Sequence, residues 1–317
     1  MNNDTSSPDF YISVFSSSPG KQPLHVSVFL LIYLIGLVGN LVLILVTFLE
    51  IQLQTPMYFF LRNLSFVDIC YTSVTLPKLI DIFLTGNNIM PFVPCFTQLY
   101  FFTTTGCTEV FLLTSMAYDR YIAICNPLCY FLVMSNRRCT QLVLGSWMFG
   151  LSNAFLIAVF ASQLSYCGSK EIQQLFCDIK SLLKISCSDT AGVQVIVYLQ
   201  VLLAGLCPFL LSVISYIGIL NSILKVHSAV GRKKTFSTCT SHLTVLLLFY
   251  GTIFCMYIRP PSEHSEELDQ FFSVLYVAVT PTLNPLIYSL RNQEVKKVLK
   301  RFIKKESHHR KRSSFHH

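Results

Sequence analysis

Polar residues punctuate this chain sparsely and at intervals. Seven apolar blocks, roughly 25–49, 57–80, 96–125, 139–162, 193–224, 238–258 and 270–290, are separated by short stretches where charged residues, Pro and Asn collect. As a helix, each block is long enough to cross about 30 Å of hydrocarbon. Backbone groups in lipid must bond within their own segment, and the alternation of a transmembrane barrel is absent, so the blocks predict helices. The expected fold class is an all-α membrane protein: a seven-helix transmembrane bundle over 25–290, behind an N-terminal tail, 1–24. A different pattern follows in "RNQEVKKVLKRFIKK", residues 291–305. Val295, Val298, Leu299, Phe302 and Ile303 recur at helical spacing, while Lys296, Lys297, Lys300 and Arg301 fill the other face. That is the signature of a basic amphipathic helix lying on a membrane surface. Residues 306–317 read as a disordered tail.

Composition agrees with the blocks. Only 13% of the 317 residues are charged and 52% are hydrophobic, where a soluble domain carries about 25% charge. The net charge of +8 is uneven. Arg137, Arg138, Lys225, Arg232, Lys233, Lys234 and the basic tail fall on one side of the predicted bundle. The N-terminus and the acidic loops 166–192 and 261–269 fall on the other. The positive-inside rule places the tail in the cytoplasm and the N-terminus outside, a parity that seven crossings satisfy. Basic residues at helix ends are explained by this orientation, so no nucleic-acid partner is expected. The start of the chain lacks a cleavable signal pattern, and the first apolar block is expected to direct membrane insertion. Asn3-Asp4-Thr5 is a glycosylation sequon on the outer side; Asn63-Leu64-Ser65 falls at the opposite face and is expected to be a decoy. The two halves show no internal repeat, which argues against a secondary transporter.

Most of the 12 Cys lie within the apolar blocks and are expected to be buried small hydrophobes. Cys95, Cys167, Cys177 and Cys187 fall on the outer side, where disulfides form. Four cysteines allow three pairings, and spacing does not choose among them. Zinc is the alternative, weakened by wide spacing and by the lack of an accompanying His. Asp68 and Glu109 lie in the middle of the second and third blocks. Two carboxylates at similar depth repel if both ionise, so either a sodium ion sits between them or they form a hydrogen-bonded pair with one neutral member. Pro208, Pro281 and Pro285 interrupt the fifth and seventh blocks and predict kinks. Asn284, beside Pro285, is expected to bond groups freed there. Asp119-Arg120-Tyr121 ends the third block at its cytoplasmic side, where snorkelling alone would also account for it. No HExxH, GxSxG or Walker-type loop is present, and no enzyme activity is expected.

Several stretches resemble a known family. "LQTPMYFFLRNLSFVD" (53–68), "MAYDRYIAICNPL" (116–128), Ser215-Tyr216, "KKTFSTCTSHL" (233–243) and "PTLNPLIYSLRN" (281–292) resemble the signatures of rhodopsin-like G-protein-coupled receptors. More narrowly they resemble odorant (olfactory) receptors of the tetrapod type. Gly39-Asn40 and Trp147 match in the first and fourth helices. Asn126 and Cys129 stand where the family usually has His and Arg, and "YISVFSSSPGK" is unlike the usual family start.

The resemblance implies Cys95–Cys177 and Cys167–Cys187 disulfides forming a lid. It implies a switch in which Asp119 restrains Arg120, with Tyr121, Tyr216, His242, Asn284, Pro285 and Tyr288 in the rearranging inner face. It also implies a ligand pocket in the outer half, between helices 3, 5 and 6. There Thr103, Gly106, Cys107 and Val110 follow i, i+3, i+4, i+7 spacing beside Phe102, with Gln200 and Ala204 on helix 5 and Tyr250, Ile253, Phe254 and Tyr257 on helix 6. Each of these residues taken singly reads equally well as packing. Such a pocket suits a small volatile odorant. The implied partners are that odorant, the bilayer and a heterotrimeric G protein of the olfactory stimulatory type that raises cyclic AMP; the implied location is the plasma membrane of sensory cilia. The alternatives are a non-olfactory chemoreceptor of the same fold and an ion-coupled transporter.

Overall fold

The computed structural model describes residues 9–14, 22–168, 170–226, 228–257, 265–291, 295–298 and 301. Among them are seven long helices: α1 (Gln22–Leu49), α2 (Pro56–Thr85), α3 (Phe92–Cys125), α4 (Asn136–Ser162), α5 (Ala191–Leu224), α6 (Ala229–Tyr257) and α7 (265–291). Each expected block is present; six helices run one to five residues past an end of their block, while α6 begins nine residues before its block. The boundaries have local causes. Pro56 begins α2 behind an extended Thr55, a favoured place for Pro because its missing N–H has no helical partner there. Gly86 ends α2 at φ 72°, and its N–H bonds the Ile82 carbonyl, a left-handed stop that glycine adopts without strain.

By length and hydropathy alone, four described segments qualify as membrane spans: Gln22–Leu49, Asn136–Ser162, Ala191–Leu224 and Leu268–Ser289. In α6 the apolar stretch is shorter, Cys239–Cys255. Both α2 and α3 are long enough but carry Asp68, Lys78, Glu109 and a series of threonines. Packing explains why they tolerate this. α3 buries residues on every side, from Cys95 through Phe102, Glu109 and Met116 to Ile122. α1 buries one stripe, Phe29, Gly36, Asn40, Leu43 and Thr47, and turns the rest outward. The helices that face lipid must be oily; those inside can carry polar groups that find partners there. Cys107, Cys139 and Cys239 are buried as expected, but Cys207 and Cys255 are exposed on the bundle's outer surface, where the surrounding solvent is itself apolar.

The proline expectation is refined. Helix α5 contains a π turn, Val201–Leu206, ending two residues before Pro208, and α7 contains another, Leu275–Val279, ending two residues before Pro281. Pro supplies no N–H, and here the preceding turn widens. Pro285 has a further consequence. Its missing N–H leaves the Pro281 carbonyl without a helical donor, and Asn40 Nδ2 of α1 donates to that carbonyl at 3.1 Å. Asn284 does not take this role; its side chain is engaged elsewhere.

One element was not foreseen. Part of the N-terminal tail forms β1 (Phe10–Ile12), the centre of a three-stranded sheet with β2 (Ile89–Met90) and β3 (Glu171–Ile172). β1 runs antiparallel to β2 and parallel to β3. Phe10 and Ile12 point inward beside Phe96 and Tyr166, while Tyr11 points out. This sheet and the loop between α4 and α5 cover one end of the bundle. The Cys95–Cys177 and Cys167–Cys187 disulfides, with Cα–Cα distances of 5.4 and 5.8 Å, tie down that cover.

At the opposite end, the described part of the tail pattern is helical at residues 295–298. Val295 and Val298 are buried in the main core while Lys296 and Lys297 are exposed. Arg301 lies 3.7 Å from Glu50. Leu299, Lys300, Phe302, Ile303 and 306–317 lie outside the described residues, as does Asn3. Asn63, of the second sequon, sits inside α2 and donates to the Phe59 carbonyl at 2.9 Å.

Candidate functional site

Three constellations stack along the bundle. At the end away from the sheet, Asp119 is fully buried. One of its carboxylate oxygens lies 3.1 Å from Arg120; the other accepts a 2.8 Å hydrogen bond from the Tyr130 hydroxyl. Tyr130 opens a one-turn helix, Tyr130–Val133, on the link between α3 and α4. Burial, and next the Asp119 carboxylate, push the Tyr130 hydroxyl above its usual pKa, so it stays a donor. Across the same end, the Tyr216 hydroxyl and His242 Nδ1 are 2.8 Å apart, joining α5 to α6. Arg120 is within electrostatic reach of both. Tyr121 packs where α5 has Gly218: a Cβ there would meet the Tyr121 ring at 2.5 Å. Tyr288 of α7 is buried, and its hydroxyl has no hydrogen-bond partner among the described residues.

In the middle, Asn284 Nδ2 donates to both oxygens of Asp68, at 3.2 and 2.9 Å. Glu109 is buried within electrostatic reach of Asp68. Three oxygens near this level, Glu109 Oε1, Asn284 Oδ1 and Asn40 Oδ1, are buried without a hydrogen-bond partner among the described residues.

Nearer the sheet, the residues proposed to line a pocket separate into groups. Cys107 faces α4 and α5: its sulfur is 3.5 Å from both Asn153 Nδ2 and Gln200 Nε2. Thr103, Val110 and Ala204 are buried. Tyr250 is buried against Phe209, and Ile253 packs on the same core. Three residues depart from the expected face. Gly106 turns toward α7, where a Cβ would lie 3.2 Å from the Tyr276 hydroxyl. Phe102 packs on Tyr71, Phe176 and Tyr276. Phe254 is 37% exposed against Phe209, on the α5–α6 seam. Helical spacing distinguishes faces only to within a residue or two, and a central helix has neighbours on all of them. The side chain of Tyr257, the last residue of α6, lies outside the described residues.

The loop above is pinned to α3 and α7. Gln98 Oε1 accepts from the Cys177 N–H at 2.9 Å, and Ser273 donates to Gln174 at 2.9 Å. Sequence reading missed Asn153, Tyr130 and Tyr276, and named Asn40 only as a family match in the first helix, without the bond it makes to the Pro281 carbonyl.

The architecture has known counterparts. A squid rhodopsin structure superposes with a TM-score of 0.73 at 16% identity, covering 91% of this chain and 82% of that one, which establishes the fold. The model of the family described as olfactory receptor matches residues 29–306. The chain belongs to the olfactory receptor family. Olfactory receptor 1G1 of Gorilla gorilla gorilla is 45% identical over 95% of this chain and 96% of its own length. Human olfactory receptor 13F1 is 46% identical over 95% and 94%. This olfactory receptor is therefore a multi-pass membrane protein of a receptor family, not an enzyme family.

Proposed function

We propose that this olfactory receptor is activated by a small volatile odorant and couples to an olfactory-type stimulatory G protein, raising cyclic AMP. The sheet-capped end and N-terminus face outside, and the Asp119 end and basic tail face the cytoplasm of sensory cilia. The carrying observation is the Asp119–Arg120–Tyr130 cluster. An arginine held by a buried acid at one mouth of the bundle is a restrained cation that a G-protein helix can use once released. Ligand binding at the other end works by preferring the state in which α6 has moved, and the Tyr216–His242 contact between α5 and α6 lies on that path. The unpartnered Tyr288 hydroxyl is free to join the rearranged face.

The pocket lies between α3, α5 and α6 beneath the disulfide-tied lid, a reading that the Cys107–Gln200 contact between α3 and α5 and the burial of Ala204 and Tyr250 support. Asn3 is the glycosylation site. The Asp68 level suits a sodium ion: Asp68, Glu109 Oε1 and Asn284 Oδ1 offer hard oxygens, the last two unpartnered among the described residues. Sodium there would offset the repulsion between the two carboxylates, while Asn284 orients Asp68.

The test is cyclic AMP in cells co-expressing the receptor and the stimulatory G protein, against a broad odorant panel. A response lost in Arg120→Ala at equal surface expression supports coupling. A ligand-evoked current without cyclic AMP would favour an ion path through Asp68 and Glu109 instead.

A further inference from the structure

Three helices meet at one sulfur atom. Asn153 of α4 and Gln200 of α5 each direct an amide N–H at Cys107 Sγ of α3, at 3.5 Å. Among the described residues these are the only hydrogen bonds that either side-chain amide makes. Thiol sulfur is a weak acceptor, so two good donors share one poor partner in a partly buried place. A buried donor left short of an acceptor is destabilising, and an oxygen supplied there recovers that loss.

The surroundings suit an incoming group. Ala204 and Gly205 keep α5 slender at this level, and Gln200 is the residue immediately before the π turn Val201–Leu206. Single π turns inside helices recur at functional sites because they redirect the adjoining side chains. Two amides and a thiol carry no formal charge. Glu109, the nearest acid along α3, lies within electrostatic reach of Asp68 and Tyr276.

We propose that the Asn153 and Gln200 amides form the polar subsite of the ligand pocket and take, in place of the Cys107 sulfur, the oxygen of an uncharged acceptor such as a ketone, ester or aldehyde. This rests on the odorant-receptor reading above. A carboxylate would bring a charge that meets no cation among the described residues around the Cys107 sulfur, and burying an unpaired ion is costly. A protonated amine has no lone pair to offer the N–H groups. An alkane leaves both donors on sulfur.

Probes sharing one carbon skeleton separate these classes: ketone, methyl ester, carboxylate, primary amine and alkane, repeated over several skeleton sizes in the cyclic AMP assay. The ketones and esters are expected to exceed the other classes in potency by about tenfold, the scale of one well-placed hydrogen bond. Gln200→Leu and Asn153→Leu should each lower ketone potency by a similar factor at unchanged surface expression. Cys107→Ala carries the opposite sign. It removes the competing sulfur and should raise ketone potency, whereas a packing role for Cys107 predicts a loss. Amines or carboxylates matching the ketones would overturn the subsite while leaving the receptor reading intact. So would unaltered ketone potency in both leucine variants. Silence from every class, with the receptor verified at the surface, would overturn the receptor reading itself.

Discussion

Replacing Tyr130 by Phe removes one oxygen atom and isolates one interaction. The Tyr130 hydroxyl donates to Asp119 Oδ1 at 2.8 Å, and Asp119 is fully buried. A hydrogen bond to a charged partner contributes about 1.5–3 kcal/mol. The low end applies, because Tyr130 is only partly buried and water can replace some of the contact. About 1.5 kcal/mol corresponds to roughly a tenfold shift in a two-state equilibrium. If the unliganded receptor is active about 1% of the time, Tyr130→Phe raises that to about 10%. Basal cyclic AMP should climb accordingly. Agonist potency should improve by about the same factor, because a ligand selecting the active state no longer works against so large a gap. The assay is basal and agonist-driven cyclic AMP at matched surface expression, with Arg120→Ala as the uncoupled reference. Basal signal and potency both unchanged in Tyr130→Phe would refute the reasoning, since the bond would then be equally present in both states.

Other consequences follow from the same geometry. The Cys95–Cys177 bridge spans 82 residues, and closing a loop of that size in the unfolded chain corresponds to about 4.5 kcal/mol; Cys95→Ser should abolish surface expression, read by flow cytometry. Gly150 of α4 sits where a Cβ would lie 2.7 Å from the Thr104 carbonyl oxygen. That oxygen is backbone and cannot step aside, so Gly150→Val should cost about 1–3 kcal/mol and lower the melting temperature of purified receptor. Asp178, in the covering loop, is buried, and burial raises its pKa above 3.8 despite the Lys180 backbone N–H and charge beside it. A raised acid holds its proton more tightly when folded, so its contribution to stability is complete below 3.8 and is lost as pH rises through the folded value. Asp178→Asn should flatten that part of a melting-temperature profile against pH; an unchanged slope would contradict the assignment. Asp68→Asn should remove any sodium dependence of agonist potency, measured in sodium and in choline buffers.

Much of this receptor was legible from residue order because the forces involved are local. Twenty-odd largely apolar residues become a helix in lipid whatever surrounds them, and the basic runs at block ends gather at one end of the bundle. The long motifs carried the family, and through it the cysteine pairing that spacing had left open. What stayed hidden depends on partners far apart in the chain. Phe10-Tyr11-Ile12 became a strand only because residues near 89 and 171 supply edges on both sides. The carbonyl freed by Pro285 was satisfied by Asn40, 241 residues away from Pro281, not by the adjacent Asn284, because Asp68 had already claimed that amide. Asn153 reached Cys107 because α4 packs against α3, and even the nearer Tyr130 reached Asp119 only because the link after α3 folds back on it. Hydrophobic periodicity determines that a helix forms and roughly which stripe is buried. Which buried polar group meets which is decided by packing, since every donor placed out of water takes the partner that the assembled bundle brings to it.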